Sequence, residues 1–431
     1  MPDSIFALAS AQGRAGVAVV RVSGPQAGIS VQALAGALPA PRQAELRKLA
    51  FAGAEIDRAL LLWFPAPHSF TGEDVAEFHI HGGRAIREAL FAALAALGLR
   101  PAEPGEFSRR AVENGKLDLT RAEAVADLVD AETPAQLRQA LRQHDGALAD
   151  LYEGWRAALI AARGRVEAAI DFSDDGVGEA EFAAARGAAL EISQQIQGHM
   201  NDAGRGESLR EGLRLTILGP PNAGKSSLIN ALARRDVAMV SDTPGTTRDV
   251  VEARLDLGGY LLHVADTAGV RETGDSIEAE GVRRALAHAA GGMTLLLLDG
   301  SAQNPRAGLP ADLPEPDLIV WNKSDLGFVR DGLSISLKTG AGISELLKML
   351  QQKVQHKLDG DGAPTLTRPR HRHALAEALA ALRDGLEAPT AHPELLAEDL
   401  RLAVRAIGRI TGRVDVEELL DFVFRDFCIG K

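Results

Sequence analysis

A glycine-rich segment between an apolar run and a helical pattern restricts the possible folds of this chain more than any other segment. Gly219-Pro-Pro-Asn-Ala-Gly-Lys-Ser226 follows the apolar run Leu213–Leu218 and precedes a helical pattern over 227–232. Glycines let backbone amides converge on an anion, and the N-terminus of the helix adds positive potential there. The order of strand, loop and helix predicts phosphate binding at the edge of an α/β sheet, with Lys225 at the β- and γ-phosphates and Ser226 on Mg²⁺.

The region around this loop alternates between strand and helix patterns. Apolar runs at 213–218, 260–265, 294–298 and 318–321 predict strands. Strands that alternate with helices form largely parallel sheets with helices on both faces. We therefore expect a doubly wound α/β domain here.

Two further elements follow the phosphate loop at the ends of predicted strands. Asp266-Thr-Ala-Gly269 would place Asp266 near Mg²⁺ and the Gly269 amide near the γ-phosphate. Asn322-Lys-Ser-Asp325 offers a carboxylate to the N1–H and amino group of guanine, which adenine cannot supply, and Ser336-Leu-Lys338 would follow as the loop that binds the guanine O6. A phosphate loop with D-x-x-G and N-K-x-D in this order predicts a GTPase.

The segment between the first two elements is Ser241-Asp-Thr-Pro-Gly-Thr-Thr-Arg-Asp249. One threonine here should close on Mg²⁺ when the γ-phosphate is present, and Thr247 is the candidate. The segment would then be a first switch that is ordered by GTP and released on hydrolysis. The alternative is a Pro-Gly surface turn.

The residue after Gly269 departs from the pattern of Ras-like enzymes. Those enzymes carry a glutamine that orients the attacking water, whereas Val270 is apolar and cannot do so. Asn222 could coordinate a monovalent cation beside the phosphates, which would neutralise developing charge as a guanidinium does. The residues alone leave the water-orienting group open among Arg271, Glu272, Asp275, Glu278 and Glu280.

The composition excludes several classes of protein. The chain has 431 residues with 46% apolar and 25% charged residues, which is typical of a globular protein rather than a disordered one. A net charge of −12 and only 4% aromatic residues argue against nonspecific coating of nucleic acid or a base-stacking platform. No uncharged apolar run approaches the ~20 residues of a membrane span. The residues before Ser10 lack the basic segment of a secretory signal, and a single cysteine, Cys428, cannot form an internal disulfide. We therefore expect a cytoplasmic protein.

The distribution of helix and strand patterns along the chain predicts a multidomain α+β and α/β protein. Residues 1–117 mix short strands with one helix, and 211–365 carry the α/β pattern of a Ras-like phosphate-loop GTPase. Residues 118–210 and 366–431 have helical patterns, including one long helix from Thr133-Pro134 to about Ile170. Because the last segment is too short for a good bundle by itself, we expect both helical parts to form one discontinuous domain into which the GTPase domain is inserted.

The whole chain resembles the MnmE (TrmE) family of tRNA-modification GTPases. The resemblance rests on the phosphate loop containing Asn222, on Gly245-Thr-Thr-Arg-Asp249, and on the order of the domains. Four further segments fit the family: Ser69-Phe-Thr-Gly-Glu-Asp74, His81-Gly-Gly83, Gly115-Lys-Leu-Asp118 and Phe427-Cys-Ile-Gly-Lys431.

The resemblance implies a function that composition and spacing do not reveal. Family members form homodimers through the N-terminal domain and work with the FAD-dependent partner MnmG in a heterotetramer. Together they add a carboxymethylaminomethyl-type group to C5 of the wobble uridine (U34) of certain tRNAs, with a formyl-tetrahydrofolate as the presumed one-carbon source. The matching ligands of K⁺ are Asn222, Ser241, Thr243 and Thr246, the water-organising glutamate is Glu278, and the folate-binding residues are Arg21, Glu77, Lys116 and Lys431.

Two questions stay open at the level of sequence. Cys428 is either a catalytic thiol or a small residue in a tail, because its reactivity depends on its surroundings. The GTPase could instead be a regulatory switch in ribosome assembly or signalling, or a folate-dependent transferase with a regulatory GTPase domain. The residues expected to contact GTP are Asn222, Ala223, Gly224, Lys225, Ser226, Ser227, Ser241, Asp242, Thr243, Pro244, Gly245, Thr246, Thr247, Asp266, Thr267, Ala268, Gly269, Asn322, Lys323, Ser324, Asp325, Ser336, Leu337 and Lys338.

Overall fold

The computed structural model divides the chain into two compact units. One unit comprises residues 1–126, 144–153 and 407–431, and the other comprises 127–143 and 154–406. The residues that the structure describes are 3–171, 177–202, 204–235, 237–239, 252–266, 292–310, 313–360, 362–414, 420–421, 423–425 and 427–430.

The first unit contains a mixed six-stranded sheet. Its order is β3-β4-β5-β2-β1-β6, in which β1 and β6 are parallel and the other neighbours are antiparallel. The mixture of short strands and helix expected for residues 1–117 is confirmed in its strands. The strands are β1 (Ile5–Leu8), β2 (Ala15–Ser23), β3 (Glu45–Phe51), β4 (Ala54–Phe64), β5 (Val75–Gly82) and β6 (Arg100–Pro101).

Helices pack on this sheet through its apolar residues. The first, α1 (Ala27–Ala35), buries Val31 and Leu34, and α2 (Arg84–Ala96) buries Leu90 and Leu94. A third helix, α3 (Glu106–Glu113), follows β6. The prediction of a single helix before residue 117 was therefore wrong, because α1 and α3 are short and depend on tertiary packing rather than on a long periodic pattern.

The C-terminal residues of the first unit pack on the helix that follows α3. Leu119 and Ala122 in α4 (Leu119–Asp130) form a buried cluster with Phe424 and Phe427. The Gly105 amide donates to the Cys428 carbonyl at 3.3 Å, and Pro104 forms a β-bridge with Ile429. A Cβ on Gly430 would lie 2.2 Å from the Leu8 carbonyl oxygen. The chain end therefore lies against the end of β1.

The second unit contains a six-stranded sheet of order β12-β11-β10-β7-β9-β8. Its neighbours are parallel except for the β8–β9 pair. Leucines and other aliphatic residues of its strands form a buried core with α9 (Lys225–Ala233) and α10 (Ile343–Leu358). The predicted parallel sheet is confirmed. Its strands are β7 (Leu213–Leu218), β8 (Glu252–Asp256), β9 (Leu261–Asp266), β10 (Met293–Asp299), β11 (Leu318–Asn322) and β12 (Leu333–Ser334).

The predicted long helix from Thr133-Pro134 to Ile170 is wrong, because it is two helices. Gly146, at φ +104°, separates them, and a Cβ there would lie 2.2 Å from Arg121 Nη2. The predicted start is confirmed by a capping box: the Gln136 amide donates to Thr133 Oγ1 and the Thr133 amide donates to Gln136 Oε1. The two helices are α5 (Pro134–His144) and α6 (Ala147–Asp171).

Helices on the two sides of the α/β sequence contact each other within the second unit. Arg372 in α11 (Pro369–Glu387) donates to Asp202 at 2.7 Å, just after α7 (Val177–Met200). Arg383 of α11 donates to Gln197 of α7 at 2.7 Å. The last segment therefore packs on the earlier helices, as a discontinuous helical domain requires, while the exact domain boundaries stay a prediction. The remaining helices are α8 (Arg205–Glu211) and α12 (Pro393–Thr411).

Within the described ranges, no helix combines the length and apolar character needed to cross a membrane.

Candidate functional site

The phosphate loop leaves β7 and enters α9 through three residues with left-handed backbone. Gly219 has φ +154°, and a Cβ there would lie 2.2 Å from the Leu297 carbonyl of β10. Asn222 has φ +60° and Gly224 has φ +105°. Glycine is needed at 219 and 224 because any side chain would collide there, whereas asparagine tolerates the left-handed region.

Lys225 is the first residue of α9 and folds back onto the loop. Its Nζ donates to the Gly219 carbonyl at 2.7 Å and to the Pro220 carbonyl at 3.0 Å. Both contacts keep the ammonium inside the curve of the loop, where its charge favours an anion. Ser226 and Ser227 are exposed at the start of the helix.

Asn322 connects the base-binding element to the phosphate loop, and this residue is only 4% exposed. Its Nδ2 donates to the Ala223 carbonyl at 2.8 Å, and its Oδ1 accepts from the Leu337 amide at 3.3 Å. A single buried amide therefore joins three separate segments that are predicted to bind GTP.

Asp325 is oriented by the third of these segments. The buried Ser336 donates its hydroxyl to Asp325 Oδ1 at 2.7 Å and accepts from the Thr339 amide at 3.2 Å. The Ser324 amide donates to the Ile335 carbonyl at 3.0 Å. These bonds hold the carboxylate in one orientation, as recognition of a planar donor edge requires.

Other predicted GTP-binding residues lie outside the described residues. Asp266 ends β9, where its backbone is opposite Ile217 of β7. Of the predicted Mg²⁺ ligands only Ser226 is described, and of the K⁺ ligands only Asn222. The predicted site residues outside the described ranges are Ser241, Asp242, Thr243, Pro244, Gly245, Thr246, Thr247, Thr267, Ala268, Gly269, Glu278 and Lys431.

The predicted folate-binding residues Arg21 and Glu77 lie directly opposite each other on β2 and β5. Arg21 Nε and Nη2 donate to Glu77 Oε1 at 3.1 and 2.9 Å, and His79 Nε2 lies 3.3 Å from Glu77 Oε2. The Arg21 guanidinium also lies 5.5 Å from the ring centroid of Phe70 and 5.8 Å from that of Phe107. The antiparallel register thus forms a half-buried row of cation, carboxylate and imidazole.

Lys116 contacts the loop that carries Phe70. Its Nζ donates to the Pro67 carbonyl at 2.9 Å, and a Cβ on Gly72 would lie 3.2 Å from Lys116 Cγ. The loop over 67–74 therefore contacts Lys116 through Pro67 and Arg21 through Phe70. The structure brings three of the four predicted folate residues to one part of the first unit.

A buried ionic network fixes the same loop to α3. Arg110 Nη1 donates to Glu73 at 3.2 Å, and its Nη2 donates to Glu106 at 2.9 Å and to Asp3 at 2.7 Å. Burial by itself would raise the pKa of Glu106, but hydrogen bonds from Arg100, from the Glu103 amide and from Arg110 outweigh it and lower the pKa. The carboxylate is therefore held in its charged form.

The thiol of Cys428 is free and exposed, and the backbone around it pairs with Gly105 and Pro104. Its catalytic role stays a prediction.

Comparison with known proteins decides the family. A model described as the MnmE helical domain matches residues 119–428, and one described as GTP-binding protein TrmE N-terminus matches residues 4–116. A relative from Rhodospirillum rubrum, named tRNA modification GTPase MnmE, is 55% identical over 100% of this chain and 99% of its own. One of the same name from Paramagnetospirillum magneticum is 53% identical over 100% of both chains. The chain belongs to the MnmE family of tRNA modification GTPases.

Membership in the MnmE family confirms the predicted family resemblance and the multidomain α+β and α/β fold class. It also confirms a GTP hydrolase that acts in tRNA modification.

Sequence reasoning did not single out two charged residues beside these sites. Asp299 ends β10 next to Asn322 of β11, and Arg110 lies behind the 67–74 loop. A signal existed for Asp299, because the carboxyl ends of parallel strands meet at one edge and Asp299 follows a predicted strand. Nothing in the local sequence of Arg110 distinguishes it from Arg109.

Proposed function

We propose that this GTPase is activated by K⁺ and acts with an FAD-dependent MnmG-type partner as part of a heterotetramer. In this proposal, a homodimer adds a carboxymethylaminomethyl-type group to C5 of the wobble uridine (U34) of certain tRNAs, with formyl-tetrahydrofolate as the one-carbon donor. The proposed binding of GTP is supported by the Asn322 amide, which joins the phosphate loop to the base-binding segment.

The phosphate-binding residues fit GTP with Mg²⁺. Lys225 would bind the β- and γ-phosphates once the nucleotide replaces the two loop carbonyls as its partners. Ser226 is exposed at the N-terminus of α9 and can offer its hydroxyl to Mg²⁺, with Thr247 as the proposed second protein ligand. Mg²⁺ neutralises negative charge on the phosphate oxygens when it is bound.

K⁺ activation rests on Asn222. The residue is exposed in the phosphate loop with φ +60°, so the neutral oxygen of its amide can be offered to a cation there. Ser241, Thr243 and Thr246 would complete the ligand set. Glu278 would orient the attacking water, since Val270 cannot.

The K⁺ proposal is tested by hydrolysis rates in potassium and in sodium. The parent chain should be much faster in potassium, because Na⁺ is smaller and prefers a tighter oxygen shell. Asn222→Ala should lose this stimulation, whereas Asn230→Ala, an exposed asparagine on α9, should keep it. Equal rates of GTP hydrolysis by the parent chain in both salts would contradict the proposal.

The chemistry of the first unit fits a folate. Arg21 and Lys116 are cations that suit the glutamate carboxylates, and Glu77 Oε2 can accept from a pterin in place of its long contact with His79. Formyl-tetrahydrofolate supplies a one-carbon unit when it is bound.

Calorimetric titration with 5-formyl-tetrahydrofolate measures the role of Glu77. Glu77→Gln should weaken binding by about 10- to 100-fold, as expected for a hydrogen bond to a charged group. The exposed Glu88, which pairs with Arg84 on α2, gives the control Glu88→Gln, which should bind like the parent. Unaltered affinity in Glu77→Gln would remove Glu77 from the folate site.

Nucleoside analysis of tRNA from a deletion strain tests the tRNA chemistry. The strain should lack the modified wobble uridine, and the parent gene should restore it. A regulatory GTPase without tRNA chemistry would leave the nucleoside profile unchanged.

A further inference from the structure

Lys323 occupies an unusual position beside the base-binding carboxylate. It lies between the buried Asn322 and the turn Ser324–Leu326, and its own backbone is left-handed at φ +68°. Such a conformation is uncommon for a residue with a Cβ. The residues on both sides of Lys323 hold its backbone in this conformation. Asn322 donates a hydrogen bond to the phosphate loop, and the Ser324 amide donates one to the Ile335 carbonyl.

The Lys323 side chain ends at a carboxylate on the neighbouring strand. Asp299, the last residue of β10, is opposite Asn322 in the parallel register. Its Oδ2 lies 2.5 Å from Lys323 Nζ. Its other oxygen, Oδ1, accepts from the Ser301 amide at 3.0 Å and from the Ser301 hydroxyl at 2.6 Å. Both oxygens of Asp299 are therefore engaged, and the carboxylate has a fixed direction.

A second set of contacts fixes the turn that carries Asp299. Arg330 donates to the Gly300 carbonyl at 3.2 Å and to the Ala302 carbonyl at 3.0 Å. A Cβ on Gly300 would lie 2.1 Å from the ring of Phe328. Burial alone would raise the pKa of Asp299, but hydrogen bonds from Lys323 and Ser301 outweigh it and lower the pKa. These contacts hold the turn in place, and the Asp299 carboxylate stays ionised.

We propose that Asp299 is a positioning residue for guanine nucleotides, which acts by anchoring the ammonium of Lys323 beside the base-reading Asp325. With the ammonium fixed, the four-carbon stem of Lys323 forms an ordered apolar wall for the flat face of a purine. Without the anchor, the nucleotide must order this flexible side chain when it binds, which weakens affinity. The inference rests on the base-binding role proposed for Asp325.

The same pair of strands carries a closely matched control at its other end. Asp317, just before β11, accepts from the Thr294 amide of β10 at 2.8 Å and pairs with Lys357 at 3.2 Å. The side chains of Lys357 and Asp317 are 37% and 25% exposed, against 37% and 23% for Lys323 and Asp299. The two pairs differ in their distance from the nucleotide-binding end of the strands, so only one of them should affect the nucleotide.

The experiment compares Asp299→Asn with Asp317→Asn in the full chain. Affinities for GDP and for a non-hydrolysable GTP analogue are measured by fluorescence titration, together with thermal melting and the kcat and KM of GTP hydrolysis. Both variants should lose similar thermal stability. Asp299→Asn alone should weaken GDP and the GTP analogue by the same factor, roughly 2- to 10-fold, as expected for the ordering of one long side chain. It should raise KM with kcat nearly unchanged.

Equal affinities in the two variants, or a fall in kcat at constant KM, would overturn the proposal. Lys323→Met tests the pair from the other side, also if Asp299→Asn does not fold. It should weaken binding, and Asp299→Asn should add little in the Lys323→Met background. An undiminished effect of Asp299→Asn there would show that Asp299 acts without Lys323.

The Asp325→Asn variant separates this inference from the base-binding proposal. A switch of preference from GTP to xanthosine triphosphate together with parent-like affinity in Asp299→Asn would refute only the anchoring role. No switch in Asp325→Asn would refute the base-binding proposal instead.

Discussion

The base-binding edge of the α/β sheet and the polar row of the N-terminal sheet are constructed in different ways. At the base-binding edge, Asn322, Lys323 and Asp325 lie within four consecutive residues, and each has at least one partner from another segment. In the N-terminal sheet, Arg21 and Glu77 are 56 residues apart and meet only because β2 and β5 pair in one register.

The functional groups of the two regions are held in position by different kinds of contact. The base-binding groups are placed by a short turn and adjusted by single hydrogen bonds, so each can be changed with a local effect. The N-terminal groups depend on strand register and on the loop over 67–74, which the Arg110 network holds. We therefore expect the largest effects in the N-terminal region to be losses of stability and those at the base-binding edge to be changes of ligand preference.

The largest expected effect is that of Arg110→Met. The substitution removes the cation that the buried Glu106 shares with the half-buried Glu73, so that Glu106 keeps only Arg100. Breaking a buried ion pair costs about 3–5 kcal/mol. Its sequence neighbour Arg109 pairs with the more exposed Glu113 and Asp421, so Arg109→Met should cost about 0–1 kcal/mol. Hydrogen exchange of amides in the N-terminal sheet measures both losses, and similar small losses in both variants would contradict the role of the network.

Asp325→Asn should have the next largest effect. It replaces an acceptor pair with one acceptor and one donor, which matches xanthine better than guanine. GTP should bind about 10- to 100-fold more weakly, from the loss of a hydrogen bond to a charged group, and xanthosine triphosphate should bind better. Competition titration measures the preference. Asp331→Asn, an exposed carboxylate in the following loop, is the control that should keep the parent preference.

Ser336→Ala should have a smaller effect at the same edge. It removes the hydroxyl that orients Asp325 but leaves the carboxylate itself in place. One neutral donor is worth about 0.5–1.5 kcal/mol, so GDP affinity should fall by roughly 2- to 10-fold while the preference for guanine remains. A change of base preference in Ser336→Ala would contradict this division between orientation and recognition. Ser334→Ala on β12 is the matched control.

The smallest expected effect is a dependence on pH in the N-terminal network. The pKa of Glu106 in the folded chain lies below its ordinary value of 4.5, so its ionised form stabilises the fold at neutral pH. This contribution is complete above about pH 4.5 and is lost as the pH falls through the lowered pKa. The difference in unfolding free energy between the parent and Glu106→Gln should be constant from pH 7 to about 4.5 and then shrink. A difference that grows on acidification would contradict the assignment.

The GTPase core could be predicted from the sequence. The phosphate loop, the Asn322–Asp325 element and the strands that precede them are each encoded in consecutive residues, so local periodicity and spacing were sufficient. The residues proposed for K⁺, Mg²⁺ and water in 241–247 and at Glu278 lie outside the described residues, and their roles stay predictions.

Which distant groups meet depends on the packing of the whole chain. Gly146 divides a segment whose periodicity continues through it, because its φ of +104° lies outside the helical region. Arg21 faces Glu77 because the register of β2 and β5 places them opposite each other. Asp299 reaches Lys323 because the register of β10 and β11 places Asp299 opposite Asn322, the residue before Lys323. That register depends on how the buried faces of the whole sheet pack, and no short stretch of sequence contains this information.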